Sequence, residues 1–527
     1  MKTKATIIFI FFLCLLSFSC NKMLDVQSTR LVGEQNMWNT IADARAGLIG
    51  IFGLQRAALS DNDCWWLYGD VRGVKGSYGA DFKSTARLDL KAISENNLQA
   101  SYTVVDALSN WRRFYAVINA ANEFLENAPK IVQRDPHYLP ADLRLDVANA
   151  RVLRAFAYFC LVRIWGDVPL IVSSHAGQYV NQPKTSQQNV LAFIETELRA
   201  TIVDLPIVYN GTQPEQSRSP WYMGEWEPAK KHSVYAILAH VYAWQGKYAD
   251  AAICAKWVLD NMALPAMSTP APNQAMFFMN TDQMRQMFRG EYGTNQYNIL
   301  WGFAHDYINA EATNSGCIEE LTLAAPYVTK KSTPDIYVPK DTILSVFNEL
   351  NDVRFSIDPA TALPNGDRYF GVFDRPIPLF TKIFIIRDNN PPFNTITGPG
   401  SDGSITSYGS AIVFSRPEDM ELLLAESDVV LGDNASATTL LNALRAARGL
   451  NAYDPTKNGG LLDAIFQERR RELMGEGQRW YDLIRYKKIK NNDPAFNALI
   501  KNGGIYWPIS KSVLAENPLL TQNPYWN

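Results

Sequence analysis

Residues Ile237–Asp260 read ILAHVYAWQGKYADAAICAKWVLD. Tyr235, Leu238, Val241 and Tyr242 recur at helical spacing before Gly246, and Tyr248, Ala252, Ala255, Val258 and Leu259 recur at the same spacing after it. Glycine enters the left-handed backbone region without steric penalty, so Gly246 is placed to turn the chain. The alanines leave room for two backbones to approach closely. The stretch predicts two antiparallel helices joined at Gly246, with Pro228 at the start of the first.

That layout, with small residues at the crossing, a bulky aromatic, a glycine turn, Tyr two residues on and then Ala, is the layout of a tetratricopeptide unit. Working outward, the same period recurs. Trp111, Tyr115, Ile118 and Leu125 form a stripe over Val104–Ala128, which Pro129 is expected to end. Asn122 lies on that stripe and is expected to be a buried amide bonded to a neighbouring helix. Val147, Leu153, Ala157, Leu161 and Ile164 mark a helix from Ala141 to Trp165, stopped by Gly166 and Pro169. Ser186 is the expected N-cap of a third, with Val190, Ile194, Leu198 and Ile202 at four-residue steps. Between Pro265 and Arg416 the helical period weakens, and Pro, Gly, Asn and Thr rise. NILWGF (Asn298–Phe303) and TKIFIIRD (Thr381–Asp388) read as short strands. Helices return at Glu418–Leu431, Ala437–Arg448, Leu461–Met474 and Arg479–Lys488. The expected fold is mainly α: tetratricopeptide-like hairpins form a right-handed scaffold around an irregular, loop-rich insert with a few short strands.

The chain has 527 residues, 47% of them hydrophobic, enough for a large core. Its formal net charge of −3 provides no global basic field, so no nucleic-acid partner is expected. Lys2 and Lys4 precede an apolar run, Ile7–Leu16, that ends at Ser17-Phe18-Ser19-Cys20. This reads as a secretory leader closed by a lipobox-like cysteine, although Ser17 and Phe18 depart from the commoner residues there. The expected division is a leader over 1–19, a helical region over 20–262 and a C-terminal region over 263–527. Cys64, Cys160, Cys254 and Cys317 are widely spaced, without CxxC, and Cys160 and Cys254 read as small buried hydrophobes. HExxH and phosphate-loop spacing are absent, GDVRGVKG (Gly69–Gly76) included, so neither metal nor cofactor is expected.

Glu468–Arg485, ERRRELMGEGQRWYDLIR, mixes dense charge with Leu473, Trp480, Tyr481 and Ile484. It reads as a helix, a turn at Gly475 and Gly477, and a second helix. Glu468 is in reach of Arg470 or Arg471, and Arg469 of Glu472. Glu468 and Glu472 have the spacing of a glycosidase pair, but the neighbouring arginines favour both ionised forms, so neither suits a high-pKa acid. A structural ion network is the expected role.

The stretches Leu422–Gly449 (LLLAESDVVLGDNASATTLLNALRAARG), Ile465–Lys488 (IFQERRRELMGEGQRWYDLIRYKK) and Tyr506–Asn527 (YWPISKSVLAENPLLTQNPYWN) resemble the SusD/RagB family of Bacteroidetes surface lipoproteins. Arg113–Ala128, Ala148–Leu170 and Pro339–Phe355 agree, the last through Asp352-Val-Arg354, which matches the family's D-x-R. The resemblance covers essentially the whole chain. Pro417 departs from it, at what should be an uninterrupted helix start. The resemblance implies a non-catalytic protein held on the outer face of the outer membrane by a lipid on Cys20. It implies a SusC-like TonB-dependent transporter as partner, contacted by the tetratricopeptide-like half, and an oligosaccharide ligand held by the irregular part. A peptide-capturing member of the same family and a secreted glycan hydrolase are the alternatives.

Sugar binding needs flat apolar faces and planar polar groups. SDNDCWWLYGDVRGVKGSYG (Ser60–Gly79) offers Trp65, Trp66 and Tyr68 beside Asp63, Asp70 and Arg72. RGEYGTNQYN adds Tyr292 and Tyr297, and Tyr307 follows beside Asp306. Trp65, Trp66, Tyr68, Arg72, Tyr292 and Tyr307 are the candidate glycan-binding residues. Adjacent tryptophans diverge by about 100° on a helix, so Trp65 is expected to anchor the loop while Trp66 faces ligand.

Overall fold

A computed structural model describes residues 37–76, 78–178, 180–207, 209, 228–262, 278–288, 299–304, 315–328, 331–365, 368–388 and 406–527. Its long helices are α1 (Ile41–Ser60), α2 (Arg112–Ile131), α3 (Pro140–Trp165), α4 (Gln187–Thr201), α5 (Lys231–Gln245) and α6 (Tyr248–Asn261) in the first half. The second half supplies α7 (Pro417–Leu431), α8 (Asn434–Ala447), α9 (Leu461–Glu472), α10 (Arg479–Lys490) and α11 (Pro494–Lys501). Each of the first eight packs on the next, α6 on α7 included, and α9 packs against α7. The stack therefore runs through both halves of the chain, and one hydrophobic core includes residues of both.

The α5–α6 hairpin forms as its sequence dictates. Ala236, Ala239, Ala251 and Ala255 are fully buried. Gly246 caps α5 at φ 78°. Its N–H reaches the Ala243 carbonyl at 3.1 Å, and Lys247 N–H reaches Tyr242 at 2.9 Å, so the helix end leaves fewer carbonyls unpaired. Tyr235 and Trp257 stack across the hairpin with centroids 4.0 Å apart. Pro228 lies just outside α5, which begins at Lys231.

Two boundaries differ from expectation. The stripe over 104–128 is two helices, Thr103–Ser109 and α2. Asn110 is extended between them and its side-chain oxygen accepts the Arg112 N–H at 3.0 Å where the second begins. Pro129 does not end α2 but lies in its last turn, where a missing N–H forfeits a single helical bond, and Ile131 beyond it is fully buried. Ser186 caps α4 through the Asn189 N–H. Asn122 is buried, donating to the Ile171 carbonyl at 3.1 Å and accepting from Arg154 of α3 at 2.7 Å. Pro417 occupies the first position of α7, where no N–H is required.

The described part of the insert is tied to this frame by short antiparallel pairs. Trp301–Phe303 pairs with Ile412–Ser415, with Phe303 opposite Ile412, and Lys83–Ser84 pairs with Ile336–Tyr337. Ile386–Asp388 pairs with Thr406–Tyr408. Cys64, Cys160, Cys254 and Cys317 are free and buried.

Candidate ligand-binding site

The frame under the insert is locked by charge. Glu472, on the last turn of α9, is fully buried. Its carboxylate accepts from Arg354 at 3.0 Å, Arg416 at 2.9 Å, and Arg448 at 2.7 and 2.9 Å. Burial alone would push this carboxyl up, but Arg448, Arg416 and Arg354 together hold it well below the usual carboxylate range. Asp352 grips Arg354 with both oxygens, at 2.9 and 2.8 Å, which gives the D-x-R pattern its structural meaning. Glu476 pairs with Arg416 at 2.8 and 3.0 Å and with the buried Lys382, whose ammonium burial lowers to about 8.

The expected Glu468–Arg471 pair forms at 3.2 Å. Arg469 does not pair with Glu472; it bridges Asp419 at 2.9 Å and Asp482 at 3.1 Å. Arg470 leaves α9 to grip Asp81 of the N-terminal half, with Nε–Oδ2 at 2.9 Å. These charges hold α7, α8, α9 and α10 and the base of the insert together. Neither Glu468 nor Glu472 faces an open cleft.

The structure corrects the candidacy of Trp65, Trp66, Tyr68 and Arg72 as glycan-binding residues: Trp65 anchors the loop as expected, but Trp66 does not face ligand. All four are buried, with exposures of 5%, 2%, 3% and 2%. Trp65 and Trp66 donate their indole N–H groups to the carbonyls of Glu476 and Gly475, both at 3.0 Å. Tyr68 donates to the Leu108 carbonyl at 2.6 Å and lies edge-on to Trp165 and Trp507. Arg72 donates to the carbonyls of Gly504 and Tyr506 and lies over Trp480. The cause is the turn after α9: it presents a row of carbonyls at Gly475–Gly477 that both indoles can reach, so neither faces solvent. Tyr292, Tyr297, Tyr307, Asp306 and Cys20 lie outside the described residues.

Where the N-terminal loop meets the insert, Asp63 stands at φ 54° with its Oδ1 buried and, among the described residues, without a hydrogen-bond partner. Burial first, then the nearby Glu320, push its carboxyl up to about 8. Lys331 and Arg87 approach Asp335 at the same seam, at 2.8 and 3.7 Å. Among the described residues no group of three or more His, Cys, Asp or Glu side chains could hold a metal ion.

Two clefts open on the described surface. One, of about 260 Å³, runs between α2, the loop after α3 and the C-terminal segment, lined by Tyr115, Ile118, Ile171, Val180 and Leu520. The other, of about 540 Å³, lies between the end of α3, the start of α4, the end of α11 and the C-terminus. Asp167, Lys184, Gln187, Asn502, Tyr506 and Tyr525 are among its walls. WGDVPL (Trp165–Leu170) and the closing NPYWN (Asn523–Asn527) contribute residues to this second cleft. Within them only Asp167, Pro524, Tyr525 and Asn527 are exposed.

Residues 399–526 match the SusD family, and residues 74–243 match a family described as starch-binding and associating with the outer membrane. A SusD superfamily protein of Bacteroides thetaiotaomicron is 38% identical in a superposition of TM-score 0.78, covering 93% of this chain and 100% of that one. A SusD-like protein of Formosa agariphila is 26% identical, over 96% of each chain. A laminarin-binding SusD-like protein shares the fold at TM-score 0.63 and 20% identity, over 92% of this chain and 99% of that one. The fold and the whole-length likeness define a helical-repeat protein of the SusD type. The chain belongs to the SusD superfamily. Among the described residues no helix is long and apolar enough to cross a membrane.

Proposed function

We propose that this chain is a cell-surface glycan-binding lipoprotein that captures oligosaccharides and delivers them to a SusC-like TonB-dependent transporter of the outer membrane. The observation that carries the reading is the whole-length likeness to a SusD superfamily structure at 38% identity. The laminarin-binding relative of the same fold supports a glycan as ligand, and the outer-membrane family matched over 74–243 supports the location. Cys20 carries the lipid anchor, and Tyr292 and Tyr307 of the insert supply faces for sugar rings. The protein binds without catalysis. Glu472 and Glu476 beneath the insert are locked in pairs with Arg354, Arg416, Arg448 and Lys382, and a glycosidase would need two carboxyls of opposed pKa at one cleft.

A glycan array followed by titration calorimetry tests the reading. Micromolar binding of an oligosaccharide, with the ligand recovered intact, is the expected result. Binding of a peptide library with no glycan bound would transfer the function to peptide capture, and sugar released during incubation would make the protein a hydrolase.

A further inference from the structure

The cleft of about 540 Å³ has the size of a small-molecule site, and its walls come from four separate parts of the fold. Tyr506 is pinned: its ring lies against Gly166, where an added Cβ would stand 3.2 Å from the ring, and its hydroxyl donates to Gln187 at 3.1 Å. Tyr525 is 41% exposed and lies edge-on to Trp526 at 4.8 Å. Asn523 fixes the turn between them, donating to the Gly503 carbonyl at 3.1 Å. Two immobilised ring faces present apolar surface at little further cost in side-chain entropy.

The charged groups lining the cleft are Lys184, Lys501 and Asp167, two cations against one anion. Asp167 accepts the Gln187 backbone N–H at 2.7 Å. Burial lowers the Lys184 ammonium from its ordinary value, and Asp167 offsets this only in part. Among the described residues neither lysine has a carboxylate within ion-pair distance. A half-buried ammonium with no direct ion pair, only partly offset by Asp167, is a group that an anionic ligand stabilises.

We propose that this cleft is a second carbohydrate subsite, apart from the loop-rich insert, that takes an acidic oligosaccharide. The uronate carboxylate meets Lys184 and Lys501, and a pyranose ring lies against Tyr525. The inference rests on the glycan-binding reading and deepens it.

The test is calorimetry on the full chain with trigalacturonate and trimannuronate as acidic probes and maltotriose and laminaritriose as neutral ones. A Lys184→Gln/Lys501→Gln double variant should bind at least one acidic probe tenfold or more weakly, about 1.4 kcal/mol. Its affinity for neutral probes should be unchanged, and the wild-type affinity for the acidic probe should fall with salt. Tyr525→Ala should weaken acidic-probe binding in a protein with a wild-type melting temperature. If the wild type binds neutral glycans but neither uronate, or if the folded double variant keeps full uronate affinity, the subsite is overturned while glycan capture stands. If a broad array finds no glycan bound by the wild type, both readings fall.

Discussion

Trp66 donates its indole N–H to the carbonyl of Gly475 across 3.0 Å, joining residues 409 positions apart in the chain. Trp65, one residue earlier, does the same to Glu476. The side chains leave their short helix in different directions, but the turn after α9 is wrapped around them, and the Trp65 ring lies close against Gly477. The two indoles thus clamp the N-terminal half onto the charged hairpin. They build the frame on which the insert stands.

The first prediction follows from this clamp. Trp66→Ala removes a fully buried ring and should cost about 3–5 kcal/mol. Trp66→Phe keeps most of the volume but strands a buried carbonyl, for about 1–3 kcal/mol. Trp65→Ala should also destabilise, and neither substitution should alter ligand affinity in the folded fraction. Denaturant unfolding and calorimetry on the same samples check this. A Trp66→Ala protein of native stability that has lost glycan binding would return the pair to the ligand site.

Gly69 shows how tight the clamp is. A Cβ built there would stand 2.0 Å from the Gly477 carbonyl oxygen, a backbone atom that cannot swing away. Gly69→Ala should therefore destabilise by about 3 kcal/mol. Gly53, on the exposed face of α1, meets nothing within 4 Å of an added Cβ. Gly53→Ala should stabilise by roughly 0.5–1 kcal/mol, because alanine loses less backbone entropy in a helix. Thermal melts of the two variants should move in opposite directions, and equal shifts would contradict the packing described.

Much of the frame was legible in the sequence because it depends on local rules. Gly246, Ser186 and the stripe over 141–165 each state their conformation within a few residues. What the sequence could not state was which distant groups satisfy Trp65, Trp66, Tyr68 and Arg72. Their partners lie at Glu476, Gly475, Leu108, Gly504 and Tyr506, and adjacent tryptophans look the same in sequence whether a carbonyl row or a sugar awaits them. The ion network was half legible for the same reason: the Glu468–Arg471 pair is local, whereas the three arginines on Glu472 come from positions 354, 416 and 448.

Glu472 supplies the third prediction. Glu472→Gln leaves Arg354, Arg416 and Arg448 buried with too little negative charge and should cost about 3–5 kcal/mol. The Glu472 carboxyl is held below its unfolded value. Its contribution is therefore present above the ordinary carboxylate pKa and is lost as pH falls through the folded one. Urea unfolding across pH 3–7 should show the wild-type advantage over Glu472→Gln shrinking towards acid. A constant difference would remove charge from the explanation.

The anchor can be tested in cells. Cys20→Ala should free the protein from the membrane fraction in a strain lacking the proposed partner transporter, and globomycin-sensitive labelling with a palmitate analogue should disappear. Continued membrane partitioning of the variant in that strain would refute lipidation at Cys20.

Glu421 lies on α7 with zero exposure, and among the described residues neither carboxylate oxygen has a hydrogen-bond partner. Burial, with repulsion from Glu418 second, pushes its carboxyl up to about 8. The folded state therefore holds this proton more tightly than the unfolded chain, where a glutamate titrates near 4.3. Below that value both states are protonated and the folded state has its full stability. As pH rises from there towards 8, the unfolded chain ionises first and stability declines; above 8 the loss is complete. Glu421→Gln keeps the shape and removes the ionisation. It should match wild type near pH 4 and exceed it by about 5 kcal/mol near pH 8.5, each pKa unit corresponding to about 1.4 kcal/mol. The difference between the two proteins isolates this group from Asp63, Asp70 and Glu319, whose carboxyls are also raised. Melting curves of both at pH 4.5, 6.5 and 8.5 decide it: a gap that does not widen with pH would mean that Glu421 ionises freely in the fold.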